Sequence, residues 1–215
     1  MRQLARVFFG LACGAIVLGG AAAGGCSSTM IAVKDKLGYA RRDQLSDKVK
    51  ITRDSQEEAK KQFESALAEF IAVTGATDKD LEAKYDSLKK EYERAESRAG
   101  AVRSRITETD RVAESLFKEW QAELAEYSDA NLRSSSEAQL AQTRSRYGQL
   151  IGAMRTASGK MDPVLARFKD QVLFLKHNLN ARAIASLQGN VASIQSDVTG
   201  LIKEMEASIA EANRF

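Results

Sequence analysis

The chain has 215 residues, a single proline and a formal net charge of +3, with 28% charged and 44% hydrophobic side chains. That charge density excludes a protein built of membrane spans, and that apolar content excludes simple disorder. Arg2 and Arg6 account for two of the 32 Lys+Arg. The remaining 30 face 29 Asp+Glu, so nothing in the overall balance calls for nucleic acid or anionic lipid as a partner. Abundant Ala, Glu, Lys, Arg, Gln, Ser and Leu suits long helices, because unbranched side chains lose little freedom there.

The first segment reads as an export signal. Met1 to Arg6 is basic, Val7 to Ala23 is an apolar run of 17 residues, and Ala23-Gly24-Gly25-Cys26 leads into the polar Ser27-Ser28-Thr29. Small residues followed by cysteine resemble the lipobox of bacterial lipoproteins, in which the thiol receives diacylglycerol and the chain is cut just before it. Ala23 stands where Leu is commoner. The competing reading is an uncleaved anchor, but this run is at the lower limit for crossing about 30 Å of hydrocarbon and is interrupted by glycines. The expected organisation is a signal peptide over 1–25, a lipidated linker over 26–30 and a helical domain over 31–215. Ser27 after Cys26 resembles the outer-membrane sorting pattern. Cys13 falls in the removed signal, so no disulfide pair remains.

Beyond Ile31, apolar residues recur at spacings of three and four, the mark of a helix with one buried stripe. The first stripe is Leu45, Val49, Thr52, Gln56, Ala59, Phe63, Ala66, Phe70 and Val73, weakened at Thr52 and Gln56. Thr74-Gly75-Ala76-Thr77-Asp78 supplies a glycine stop and a Thr or Asp cap, and so short a link predicts an antiparallel neighbour. The second stripe runs from Leu81 through Tyr85, Leu88, Tyr92, Ala95, Ala99, Val102, Ile106, Thr109, Ala113, Leu116 and Trp120 to Tyr127, interrupted at Glu123. Its span corresponds to about 70 Å of helix. A polar break over 128–137 follows, with its serine run expected as the next cap. A third helix carries Leu140, Thr143, Tyr147, Leu150, Met154, Ala157, Met161, Val164, Phe168 and Leu175. Asp162-Pro163 predicts a kink or a brief restart within it. After a reversal near His177-Asn178-Leu179-Asn180, a last stripe runs from Ile184 to Ile209. The predicted fold is all-α, an elongated antiparallel bundle of about four long helices with heptad-like packing.

No residue pattern specifies a catalytic centre, and no catalytic residue, metal ligand or cofactor is expected. His177 is the only histidine and sits at a helix end, where it can cap carbonyls and complement the helix dipole. It has no thiol or second imidazole for a metal site. Carboxylates such as Glu57, Glu58, Glu91, Glu93, Glu96 and Glu119 are interleaved with Lys and Arg one turn away, which reads as a solvated helix face. Trp120, Phe117 and Tyr127 read as core. Lys84, Lys89, Lys90, Arg94, Arg98, Arg103, Arg105 and Arg111 enrich the second helix in positive charge and form a candidate interaction face.

Three stretches together carry a family likeness: Tyr39-Ala40-Arg41-Arg42-Asp43, Leu116-Phe117-Lys118-Glu119-Trp120, and Phe174-Leu175-Lys176-His177-Asn178-Leu179-Asn180-Ala181. Over nearly all of the chain past Cys26, the sequence resembles an uncharacterised family of bacterial lipoproteins, domain of unknown function 2959. The resemblance implies export and a helical build, and it brings no activity or catalytic residues. The expectation is therefore a non-enzymatic envelope module, tethered to the membrane through Cys26 on the periplasmic side of the outer membrane and holding a protein partner. The alternatives are a module that binds membrane or cell wall through the basic helix face, and an enzyme or small-ligand carrier.

Overall fold

A computed structural model describes residues 26–75 and 80–215, in five α-helices and one 3₁₀ turn; among the described residues there is no strand. The helices are α1 (Cys26–Thr74), α2 (Leu81–Glu123), α3 (Ala130–His177), α4 (Ala181–Gln188) and α5 (Val191–Arg214), with the 3₁₀ turn at Leu124–Glu126. The expected signal peptide, 1–25, lies outside the described residues. The stretch expected as a linker, 26–30, forms the opening of α1. Two units are distinguished: residues 1–36, of which the described part is the start of α1, and residues 37–215, which hold the core.

Within 37–215 the long helices alternate in direction. Cross-helix pairs fix α1 against α2: Lys48 to Glu108 at 2.8 Å, Glu58 to Arg98 at 2.6 Å and Gln62 to Glu91 at 2.7 Å. As one partner's number rises the other's falls, which is the signature of antiparallel packing. Arg103 to Asp162 at 2.7 Å sets α2 against α3, and Arg167 to Asp197 and Lys160 to Glu204 set α3 against α5. Lys60 to Glu206, at 3.5 Å, returns from α1 to α5 and completes the circuit of four helices.

The heptad stripes are the core. Every position of the first stripe from Leu45 to Val73 is buried, as is most of the second from Leu81 to Leu116. Large side chains from diagonal helices meet at the centre, where the rings of Phe70 and Phe168 contact edge to face with centroids 6.2 Å apart. Tyr147 plays the same part nearer the other end, between Phe117 and Phe215.

Four local features depart from the sequence reading. The buried stripe of α2 ends at Leu124, which follows Leu116 at two spacings of four on the same helical face. Trp120 is left half-buried and Tyr127 exposed, rather than both in the core. The serine run does not cap α3. Asp129 does, accepting from the amides of Asn131 and Leu132, and Ser136 lies inside the helix, where it accepts from Trp120 Nε1 at 2.8 Å. Pro163 neither ends nor restarts α3, which runs through it, and Asp162 bonds Arg103 instead of capping. The last stripe is shared by two helices, since Gly189-Asn190 separates α4 from α5 without disturbing the apolar phase.

Candidate functional site

Cys26 is the first residue of α1; its side chain lies outside what the structure describes. The eight cations of the predicted basic face all fall on α2, but they do not form one uniform surface. Arg98 reaches Glu58 and Lys84 reaches Glu69 on α1, whereas Arg103 turns the other way to Asp162 on α3. Lys89, Arg94 and Arg105 pair along α2 itself with Glu93, Glu91 and Glu108. Lys90 and Arg111 have no ion-pair partner among the described residues. Exposed pairs of this kind contribute little to stability, yet they neutralise the field a polyanion would meet.

The carboxylates are held by the same network. Burial would raise the Glu91 carboxyl, but hydrogen bonds from Ser65 and Gln62 and the Arg94 guanidinium outweigh it and hold it below the usual range. The bond and charge of Lys48, with Arg105 beside it, lower Glu108 in the same way. For Lys60, Glu57 and Glu206 overcome the opposing effect of burial and raise its pKa. Burial pushes the Tyr92 hydroxyl up to about 12, with Glu96 adding to the shift by accepting its proton at 3.0 Å. Tyr147 is raised further by deeper burial and by its bond to Asp110, which Arg155 also grips. These phenols stay protonated as structural donors.

The polar interruption of the first stripe is a buried layer. Thr52 and Thr109 bond across α1 and α2 at 2.8 Å. Thr109 spends its proton on the Arg105 carbonyl at 2.8 Å, so Thr52 is the donor of the pair. Beside it, Ser208 of α5 donates to Gln56 Oε1 at 3.0 Å, while Gln56 Nε2 is buried without a partner.

At the opposite end of α1 from residue 37, the segment Phe174–Ala181 turns from α3 into α4. Leu175 is core, the Asn178 backbone N–H donates to the Leu175 carbonyl and its side-chain Nδ2 to the Phe174 carbonyl, and Asn180 caps α4 by accepting from the Ala183 amide. His177 ends α3 with Lys176, a placement that suits the negative end of the helix dipole. Phe174, Leu173 and Leu179 face outward. Their exposure escaped the sequence reading, which followed the stripe through Leu175. The available signal was the unbroken run Val172-Leu173-Phe174-Leu175, since one helical stripe cannot hold four consecutive residues.

Two open grooves lie along α3 and α5. One, about 390 Å³, is lined by Arg146, Gln149, Glu211, Arg214 and Phe215; the other, about 300 Å³, includes Lys160, Pro163, Arg167 and Asp197. Neither borders His177. Among the described residues, no three or more His, Cys, Asp or Glu are grouped to hold a metal ion, and no helix is long and apolar enough to cross a membrane.

The stripes, the turns and the α3–α4 corner all fall within one matched region. Residues 31–215 match the family described as Protein of unknown function (DUF2959). The chain belongs to this family. No curated protein and no solved structure matches it. Membership in DUF2959 thus covers the whole of the helical core, from Leu45 to Ala212, and the candidate basic face on α2.

Proposed function

We propose that this DUF2959 protein is a lipoprotein of the bacterial envelope, tethered through Cys26 to the periplasmic face of the outer membrane, where its helical bundle acts as a non-enzymatic structural or protein-interaction module. The observation that carries this reading is Ala23-Gly24-Gly25-Cys26, placed directly after a basic start and a 17-residue apolar run. Acyl chains add about 0.8 kcal/mol per buried CH₂, so two or three on one cysteine suffice for stable attachment. The module reading draws support from the way the long helices spend their charges on one another and from a core of stripes. Six of the eight basic-face cations are occupied by carboxylates, which favours a protein partner over an anionic polymer along α2.

Metabolic labelling with radioactive palmitate tests the anchor. The full-length chain is expected to take up label and to sediment with outer membranes, and Cys26→Ala to do neither. Undiminished label in Cys26→Ala would sink the assignment. Crosslinking in intact cells followed by affinity recovery then tests the module; failure to recover any specific protein under several conditions counts against it.

A further inference from the structure

The α3–α4 corner combines three properties found together nowhere else in the described residues. It is apolar where it should be polar: Leu173 is 45% exposed, Phe174 39% and Leu179 41%, all within seven residues. It is cationic: from Pro163 to Ser196 the sequence holds Arg167, Lys169, Lys176 and Arg182 against the single acid Asp170. And its charge is uncommitted. Arg167 pairs with Asp197, but Lys169, Lys176 and Arg182 have no ion-pair partner among the described residues, in contrast to most of the cations along α2.

The placement of these groups follows from the helix. With Phe168, Val172 and Leu175 turned into the core, Lys169, Leu173 and Lys176 fall on one outward stripe and Asp170, Phe174 and His177 on the next. Leu179 and Arg182 extend the surface around the corner. The start of α2, packed alongside, exposes the acids Asp80, Glu82 and Asp86 with Lys90 and with Lys89, which is paired to Glu93, so it offsets part of the excess. Water-exposed aliphatic and aromatic side chains set among unpaired Lys and Arg are the composition of an interfacial membrane contact. The apolar groups enter the acyl boundary and the long cationic side chains reach back to the headgroups. A protein partner matched to this surface would need an acidic apolar groove; an anionic bilayer offers both properties everywhere.

We propose that the α3–α4 corner is a peripheral membrane-binding site for anionic phospholipid, with Leu173, Phe174 and Leu179 inserting and Lys169, Lys176 and Arg182 neutralising headgroup phosphates. It lies at the end of the 37–215 unit remote from residue 37, and it stands independently of acylation at Cys26. The chain would then hold two membrane contacts, one covalent and one reversible.

The test uses residues 26–215 with Cys26→Ser, which keep the entire core and carry no lipid, in co-sedimentation with phosphatidylglycerol/phosphatidylethanolamine vesicles, phosphatidylcholine vesicles and purified peptidoglycan sacculi. Binding is expected to the anionic vesicles alone, weakening as salt rises. Leu173→Ser/Phe174→Ser should weaken it about tenfold or more, through lost apolar burial. Lys169→Gln/Lys176→Gln/Arg182→Gln should weaken it about tenfold or more as well, through lost attraction to the headgroup phosphates. Ile51→Ser and Leu132→Ser, exposed apolar residues elsewhere, should leave binding unchanged. Circular dichroism melts confirm that each variant is folded. Absence of binding to anionic vesicles overturns the proposal. So does binding that survives Leu173→Ser/Phe174→Ser in a folded protein, or binding to sacculi with vesicles silent, which would assign the corner to the cell wall.

Discussion

Thr52 and Gln56 stand where the α1 stripe calls for aliphatic side chains, and both are completely buried. Thr52 and Thr109 satisfy each other, but Gln56 obtains only one bond, from Ser208, and leaves Nε2 without an acceptor. An unsatisfied buried donor costs about 1–3 kcal/mol, more than a single neutral hydrogen bond returns. Such layers trade stability for a defined alignment of neighbouring helices, as a buried polar residue does in coiled coils. This gives an asymmetric expectation. Ser208→Ala alone should destabilise the protein by about 1–2 kcal/mol, because it strips the amide of its last partner. Gln56→Met/Ser208→Ala, which replaces both groups by apolar ones of similar shape, should instead stabilise it by about 1–2 kcal/mol relative to the parent. Urea unfolding of the two single variants and the double reads the coupling directly. If the double variant loses as much as the two singles summed, the residues do not act as a unit and the layer carries no such strain.

At the scale of the helices, what could be read from the sequence was the stripe, and what could not was where a stripe is cut. Leu45 to Val73 and Leu81 to Leu116 were legible because a spacing of three and four leaves one solution for the buried face. The break at Gly189-Asn190 was hidden because Leu187, Val191 and Ile194 keep their phase across it. Leu124 was missed because it follows Leu116 and Trp120 at two successive spacings of four, which leaves the alternating heptad. Of the candidate site, the positions of the α2 cations were legible, but their pairing with Glu58, Glu69 and Asp162 was not, since partners on other helices depend on register. Pro163 is the sharpest case. Sequence chemistry predicts a kink or a brief restart, and α3 runs on through an exposed proline whose missing N–H leaves the Gly159 carbonyl without its usual donor. Packing of Met161, Val164 and Phe168 on either side holds the helix together against that cost. Pro163→Ala should therefore raise stability by about 1–3 kcal/mol, the relief being partly offset by the greater freedom of the unfolded chain. Gly148→Ala in the same helix, where an added Cβ meets nothing within 4 Å, serves as calibration at about 1 kcal/mol. A Pro163→Ala gain no larger than that of Gly148→Ala would mean the proline imposes no strain on α3.

At the scale of the whole molecule, the core determines which parts of the chain must stay together. Its first member is Leu45 and its last Ala212, and both lie in the 37–215 unit. Removing residues 1–36 takes away none of its described members. A chain of 37–215 should therefore unfold in one transition, with the same urea midpoint and slope as 26–215 carrying Cys26→Ser. Cutting further, to 53–215, should behave differently. It removes Leu45, Val49 and Thr52, uncovers Thr109 on α2, and deletes Lys48 from its bond with Glu108. Loss of two buried aliphatic side chains alone costs about 3–6 kcal/mol, which is comparable to the whole stability of many domains. The 37–215 chain should keep its helical circular dichroism and its melting cooperativity, and the 53–215 chain should lose the second before the first. If instead 37–215 melted early and 26–215 did not, the opening of α1 would have to contribute packing that the core from Leu45 onward does not contain. Cys26, the proposed tethering point, would then be part of the folded domain rather than an attachment to it.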